Sequence, residues 1–430
     1  MPTPAQAHGM RMFRWDALFA GGVDSVVLNY LPLFALAYGG SNAEIGLLAA
    51  AMGLGAAAAC FPGAWLSGRW RRRKPFILIT RGVFANLLLL VFALGPLVAG
   101  PAALAVIAAA AMARSFVLTL AESAWTSVAT DLVPAGIRGQ YFAGRNLFFG
   151  AGGLISAGLV GLILTLLGVE LGWAAGWGLV FGLGVASALA YSRIPEADLP
   201  SSNEEAGLGT SPRAVLRDGR FLRYAATVVL WTISVQAAVP FFNVHLVKNL
   251  GASSAMVAGL FVISAVFGLL GQAFIGRLLD LRGSRWMMAV AGIAISFLPV
   301  AWFFVDAPYQ AGGINAVGAV LWAAYLLASF HLLLSIAPPG QQRYYVASYH
   351  TLVFLAMFAG PLLGGLVAEA YGIRAIFLLS GAGRLIAVLA FIALVQDVDA
   401  HAEPATRASP APGWNAVGQL TQRVRALARL

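Results

Sequence analysis

The sequence predicts an all-α membrane protein: 12 transmembrane helices in two pseudo-symmetric six-helix bundles, with both termini cytoplasmic. Three observations carry that reading. The 430-residue chain is 60% hydrophobic and only 10% charged, against about 25% charged in soluble domains. Its apolar residues gather in runs of about 20 or more, the length that crosses a bilayer. Short motifs also recur, in the same order, at an offset close to half the chain. A soluble core of this size has no use for so much apolar sequence, so lipid is the solvent for much of the surface. The mean hydropathy of +0.83 agrees.

The first run, 15–38, follows Arg11 and Arg14 as a signal peptide would. It is too long for one, carries Asp24 and has no small-residue cleavage pattern, so it reads as an uncleaved span. The run 43–67 holds Cys60, the single cysteine, which excludes an intrachain disulfide; nothing around it suggests a metal or thiol site. The runs 75–97 and 101–128 contain Arg81, Arg114 and Glu122. The runs 142–167 and 172–194 are rich in glycine, as suits helices that approach closely in lipid. The stretch 195–221 is polar, with Pro195, Pro200, Ser201, Ser202, Asn203, Glu204 and Glu205, and reads as a linker. Six more runs follow: 222–248, 254–280, 285–305, 312–337, 344–370 and 374–396. The expected organisation is therefore a bundle at 12–194, a cytoplasmic linker at 195–221, a bundle at 222–397 and a cytoplasmic tail at 398–430. Within the tail, Asn415 to Leu430 is either a short basic amphipathic helix lying on the membrane or disordered.

The basic residues set the orientation. Arg81, Arg114 and Arg384 lie within spans, and Lys248 and Arg374 lie at one side. All the other lysines and arginines fall on the side that holds both termini and the linker, which marks that side as cytoplasmic. This distribution accounts for the net charge of +10 and argues against nucleic acid as a partner.

The repeat has four parts. Gly276-Arg-Leu-Leu-Asp280-Leu-Arg-Gly283-Ser-Arg285 has a weaker copy in Gly63-Ala-Trp-Leu-Ser67-Gly-Arg69-Trp-Arg71-Arg72. Pro32 corresponds to Pro240, Leu132-Val-Pro134-Ala-Gly136 to Ile336-Ala-Pro338-Pro-Gly340, and Tyr141-Phe-Ala143 to Tyr345-Val-Ala347. Parallel halves related by an axis along the membrane normal are an established transporter architecture.

Twelve spans, a central linker and a Gly-x-Leu-x-Asp-x-x-Gly-x-Arg loop after spans 2 and 8 resemble the major facilitator superfamily over residues 12–397. The second-half loop matches at Gly276, Leu278, Asp280, Gly283 and Arg285. The first-half loop departs, with Ser67 where the family has aspartate, followed by a basic run from Arg69 to Lys74. The resemblance implies that this loop packs on the partner half and helps close a cytoplasmic gate. Gly63, Ser67, Arg71, Gly276, Asp280, Gly283 and Arg285 are its expected gating residues. The basic run also suits an anchor at lipid headgroups. Gly360-Pro361-Leu-Leu-Gly364-Gly365 in span 11 is similar to a drug/proton antiporter motif, but there the motif lies in span 5. A kinked, small-faced helix is sufficient explanation.

The resemblance also implies that spans 1, 4, 7 and 10 line a central cavity. Ionisable groups inside a bilayer are costly and point to function. Asp24 lies about 13 Å along span 1, near the midplane. Arg114 lies at similar depth in span 4, and Glu122 lies two turns nearer the cytoplasm. Asp24 and Glu122 are the expected proton-coupling groups, with Arg114 tuning them or holding an anionic group of the substrate. The competing reading is a structural ion pair. In the second half Gln236, Asn243 and His331 are polar substrate-binding candidates, and Trp231, Trp322 and Tyr325 candidate aromatic walls; the competing reading is helix packing. His245 is placed near the outer interface, and Arg81 and Arg384 on peripheral spans as structural or snorkelling residues.

No phosphate loop, metal cluster or nucleophile elbow appears, so the sequence predicts no enzyme activity, no cofactor and no metal. The expectation is a multi-pass secondary active transporter of the cytoplasmic (inner) membrane, a monomer surrounded by lipid. It moves a small organic solute by alternating access, coupled to protons. A multidrug/proton antiporter and a lipid or lysolipid flippase are the alternatives.

Overall fold

The chain caps its own first helix. Thr3 accepts a hydrogen bond from the Gln6 N–H while the Gln6 side chain returns to the Thr3 backbone, and Pro4 fills the first helical position, where a missing N–H costs nothing. The helix α1 then runs over Pro4–Ala37. The computed structural model describes residues 3–69, 72–94, 102–134, 137–195, 215, 217–336 and 342–395. After α1 come α2 (Asn42–Arg69), α3 (Arg73–Leu94), α4 (Ala102–Leu120), α5 (Glu122–Leu132) and α6 (Arg138–Ser192). The second half holds α7 (Gly219–Asn249), α8 (Ser254–Arg282), α9 (Ser284–Phe303), α10 (Ala311–Ile336), α11 (Gln342–Tyr371) and α12 (Ile373–Leu394).

Ten helices among the described residues are long and apolar enough to cross a bilayer. Their outward faces carry Leu87, Leu166, Phe297 and Leu389, all exposed, as a surface facing hydrocarbon should be. Helix α6 is 55 residues long, about 80 Å if straight, far beyond a hydrocarbon core of about 30 Å. It breaks at Gly168, whose φ of 73° and ψ of −167° suit only glycine. Its arms fold back on each other: a Cβ on Gly172 would lie 3.0 Å from the Leu164 Cα. The break falls between the expected spans 142–167 and 172–194. The expected span 101–128 is instead two helices, divided at Ala121. Helix α3 contains a wide π-helical stretch, Leu78–Phe84.

The two halves repeat the same fastenings. The Tyr141 hydroxyl donates to the Met10 carbonyl (2.6 Å), and the Tyr345 hydroxyl to Asp218 Oδ2 (2.7 Å). Phe13 lies against Tyr141, and Phe221, 208 residues on, against Tyr345. Lys74 Nζ donates to the Ile194 carbonyl at the end of α6 (2.6 Å). Arg285 Nε and Nη2 donate to the carbonyls of Val395 (2.7 Å) and Ile392 (2.9 Å) at the end of α12. A cation at a helix C-terminus satisfies orphan carbonyls and complements the dipole. Asp218 lies outside the spans and caps α7. Burial pushes its carboxyl up, but the Tyr345 hydroxyl, the N–H groups of Arg220 and Phe221 and the Arg220 charge hold it below the ordinary carboxylate value.

The Gly276–Arg285 segment is less of a loop than expected. Helix α8 runs to Arg282, so Gly276 and Asp280 are helical, and Gly283 (φ 80°, ψ 161°) alone separates it from α9. The bonds of Arg285 run to α12 of its own half. Ser67 likewise lies within α2; the side chains of Ser67, Gly276 and Asp280, and Arg71 altogether, fall outside the described residues.

The halves meet where α2 packs on α11. A Cβ on Gly46 would lie 2.5 Å from the Pro361 carbonyl oxygen, and one on Gly53 would lie 2.5 Å from the Phe358 nitrogen. The Asn42 N–H donates to Glu369 Oε2 (3.0 Å) at the same seam. This explains the small face of α11: Gly364 meets α7 at Ala237, and Gly365 meets α2 at Asn42 and Gly46. His245 is fully buried within the protein and edge-on to Phe377.

Candidate functional site

Asp16, Ala20 and Asp24 recur every fourth residue along α1 and so share one face. Opposite them stand Arg81 of α3, Arg114 of α4, Trp125 of α5 and Ser187 of α6, and together they line a small cavity of roughly 50 Å³. Arg114 Nη2 lies 3.1 Å from Asp24 Oδ1. Antiparallel spans with charges at matching depths bring the two together, as their positions in the sequence suggest. Asp24 opens to the cavity with 39% of its side chain exposed, whereas Arg114 is 8% exposed. The carboxylate is therefore the accessible member of the pair.

Two further pairs stand around it. Arg81 Nη1 lies 3.4 Å from Glu122 Oε2. Arg145 Nη2 lies 3.9 Å from Asp16 Oδ2, and the Ser187 hydroxyl donates to Asp16 Oδ1 (2.7 Å). Arg81 and Arg145 both approach the Trp125 ring, at 5.3 and 4.8 Å, and Arg145 also approaches Phe13 at 4.4 Å, within cation–π range. Three carboxylates thus balance three guanidiniums. Removing one member of a buried pair leaves an uncompensated charge, a loss of about 3–5 kcal/mol.

A second cavity, roughly 310 Å³, lies mainly in the second half. Asn29, Phe242, Asn243, Trp302, Trp322 and Arg384 are among its walls. The Asn243 amide donates to the Asn29 carbonyl at 3.4 Å, a long bond from α7 to α1. Of the expected second-half residues, this cavity brings together Asn243 and Trp322. Trp231 stacks on Tyr325 at 4.4 Å, and both line a small void of roughly 10 Å³ behind it. Gln236 packs against Gly360 of α11. His331 lies in α10, and its side chain is outside the described residues.

Sequence reasoning missed Asp16 and Arg145, and gave Arg81 and Arg384 only a structural or snorkelling place on peripheral spans. Asp16 and Arg145 sit at span ends, where hydropathy sees only interface. The repeat offered a clue: Asp16 is 208 residues before Tyr224, and Arg145 is 204 before Tyr349. Those two tyrosines stack at 6.1 Å, and the Tyr224 hydroxyl bonds Ser329, so the ion pair occupies a place already marked as a contact.

The sequence model of the Major Facilitator Superfamily matches residues 17–334 and 232–427. The chain belongs to the Major Facilitator Superfamily. It is therefore a multi-pass membrane protein of a transporter family. The multi-drug resistance efflux pump PmrA of Streptococcus pneumoniae is 30% identical over 168 residues, 38% of this chain and 42% of the pump's length. The chain thus spans less than half of that curated relative. Among superfamily structures, the nucleoside transporter NupG superposes with a TM-score of 0.74 at 14% identity, over 90% of this chain and 100% of its own. A bacterial homologue of the human lysosomal transporter Spinster, inward-facing and occupied, gives 0.71 at 15% identity, over 96% and 100%. At these identities both likenesses speak for the fold.

Proposed function

We propose that this chain is a proton-coupled secondary active transporter of the cytoplasmic membrane. It moves a small organic solute by alternating access between six-helix bundles at 12–194 and 222–397. The two bundles supply 12 spans, with both termini and the 195–221 linker cytoplasmic. The observation that carries this reading is the Asp24–Arg114 pair at 3.1 Å, with its carboxylate open to a cavity. Protonating Asp24 removes the charge that balances Arg114, and deprotonation restores it, so proton occupancy changes which anion the guanidinium can hold. An exposed carboxylate exchanges protons with the cavity, whereas a sealed structural pair does not. Glu122, 57% exposed and paired to Arg81, is a second proton site on the path toward the cytoplasm.

Gly63, Ser67, Arg71, Gly276, Asp280, Gly283 and Arg285 form the gating segments. Arg285 acts by fastening α9 to α12 so that the second bundle tilts as one piece. Asn243 and Trp322 supply the solute's surroundings in the second half, with Trp231 and Tyr325 stacked behind that wall, Gln236 packed on α11, and His331 on α10. The protein works as a monomer in lipid.

A second reading, multidrug/proton antiport, is favoured by the relationship to PmrA and by the aromatic walls of the larger cavity. The two readings differ in the direction of coupled flux.

The test is reconstitution in proteoliposomes with an imposed pH gradient. A thermal-shift screen first finds a ligand, since binding stabilises the folded state. Asp24→Asn should then lower gradient-driven flux by on the order of a hundredfold, while exchange without a gradient persists, because the step that needs a titratable carboxylate is lost. Unchanged coupling in Asp24→Asn would remove Asp24 from the mechanism. Passive flux in the unaltered protein, insensitive to uncoupler, would remove secondary active transport itself.

A further inference from the structure

Arg384 is the arginine that the paired charges leave over. It lies eleven residues into the 22-residue helix α12, about 16 Å along its axis and so near mid-membrane. It is 2% exposed. Among the described residues no ion pair or hydrogen bond reaches its guanidinium, and its Nε is buried without an acceptor. Its contact is the face of Trp322, at 6.0 Å from the ring centroid, the outer limit of a cation–π interaction. Arginine does not escape this cost by losing its proton. Arg81, Arg114 and Arg145 each have a carboxylate, and Arg384 has an open cavity instead.

The scaffold does not require an arginine here. Aligned by the ends of α6 and α12, where Ile194 answers Val395, the first-half counterpart of Arg384 is Leu183. Aligned instead by the positive-φ glycines Gly168 and Gly372, the counterpart is Val180, so either alignment places an apolar residue there. The charge is therefore an addition to the repeat, held where only something entering the cavity can neutralise it.

We propose that Arg384 anchors the anionic group of the transported solute, and that the solute is an organic anion with an aromatic or extended apolar body. The inference rests on the transport reading and names its substrate class. A planar guanidinium offers a fork of N–H donors matched to a carboxylate or sulfonate. Phe242, Trp302 and Trp322 provide the apolar walls, and Asn29 and Asn243 stand ready for a polar substituent. A cavity of roughly 310 Å³ lies at the lower end of the range that holds small organic ligands.

The test is equilibrium binding to the purified full chain, read by quenching of tryptophan emission with 4-(4-nitrophenyl)butyrate. Its uncharged amide serves as the control. The measurement needs neither flux nor a proton gradient, so it succeeds or fails independently of proton coupling. The acid should quench saturably and bind at least tenfold tighter than the amide. Arg384→Gln should reduce acid binding to the level of the amide. Arg384→Lys, which keeps the charge and loses the fork, should fall between. Trp322→Phe should reduce the saturable quenching amplitude. Equal affinity of acid and amide for the unaltered protein overturns the proposal, even if Arg384→Gln fails to fold. Acid binding unchanged in both Arg384 variants overturns it as well. A saturable response to lysophosphatidic acid with none to the aryl carboxylate assigns the site to lipid and likewise overturns it.

Discussion

The two halves share their fastenings and differ in their charges. Tyr141 with Met10 and Tyr345 with Asp218 tie the fifth expected span of each half to the first. Lys74 and Arg285 each close the last helix of their own half. Yet where the first half has the Asp16–Arg145 ion pair, the second has the stacked phenols of Tyr224 and Tyr349. The same helix contact can thus be closed by charge or without it. The fold does not explain the acidic and basic residues of the first half, because its own repeat manages without them. The same comparison, run the other way, singles out Arg384, whose counterpart is apolar.

The sharpest way to break this comparison is to transplant one contact onto the other. Arg145→Leu should leave Asp16 buried without its partner and cost about 3–5 kcal/mol, read as a loss of melting temperature. The double variant Asp16→Tyr, Arg145→Tyr imports the second-half contact and should recover most of that stability, while proton-driven flux stays below the unaltered protein. Full recovery of flux would make the ion pair interchangeable packing.

A smaller effect comes from the two helix-end clamps. Arg285→Ala loses two charge-assisted bonds to α12, about 2 kcal/mol in all. Lys74→Ala loses its bond to α6 and should also lower the melting temperature. No loss in Arg285→Ala would show that its two bonds to α12 contribute nothing.

The smallest effect lies in the tyrosine ties and shows itself in pH. Tyr345→Phe and Tyr141→Phe should each cost about 1 kcal/mol at neutral pH. The Asp218 carboxyl is held below its ordinary value in the folded state. Its contribution is therefore present above the unfolded value, near 3.9, and is lost as pH falls through the folded value. Tyr345→Phe lifts that carboxyl toward its ordinary value. Melting temperature should then fall less steeply with acid in Tyr345→Phe than in the unaltered protein. Tyr141 donates to a carbonyl, which does not titrate, so Tyr141→Phe should keep the unaltered slope.

Much of this arrangement is legible from residues alone. Membrane-length runs mark the helices, and a glycine between two of them marks the turn at Gly168. Asp24 and Arg114 meet because depth in antiparallel spans follows from counting along the chain. Facing is harder to read. Hydropathy gives each residue a depth but not a direction, so Arg384 reads as a peripheral residue until α12 is seen to turn it onto the cavity. Trp231 and Tyr325 sit at suitable depth yet stack against each other behind the cavity wall. Arg81 likewise reads as peripheral, and it lies in a stretch of helix that abandons the ordinary spacing by which facing is counted.

That stretch, Leu78–Phe84, amounts to a spare residue in α3. A π turn holds one residue more than the α turn it replaces, and the helix on either side keeps its register. Phe76 and Ile77 stay buried below it, and Asn86 still abuts Gly184 above. The chain can therefore lose one residue here and close to a plain α-helix without turning either flank. In α4 the same loss would rotate everything beyond it by about 100° and take Arg114 away from Asp24. By this measure Arg81 belongs to an insertion that the scaffold can do without, and Arg114 belongs to the scaffold itself.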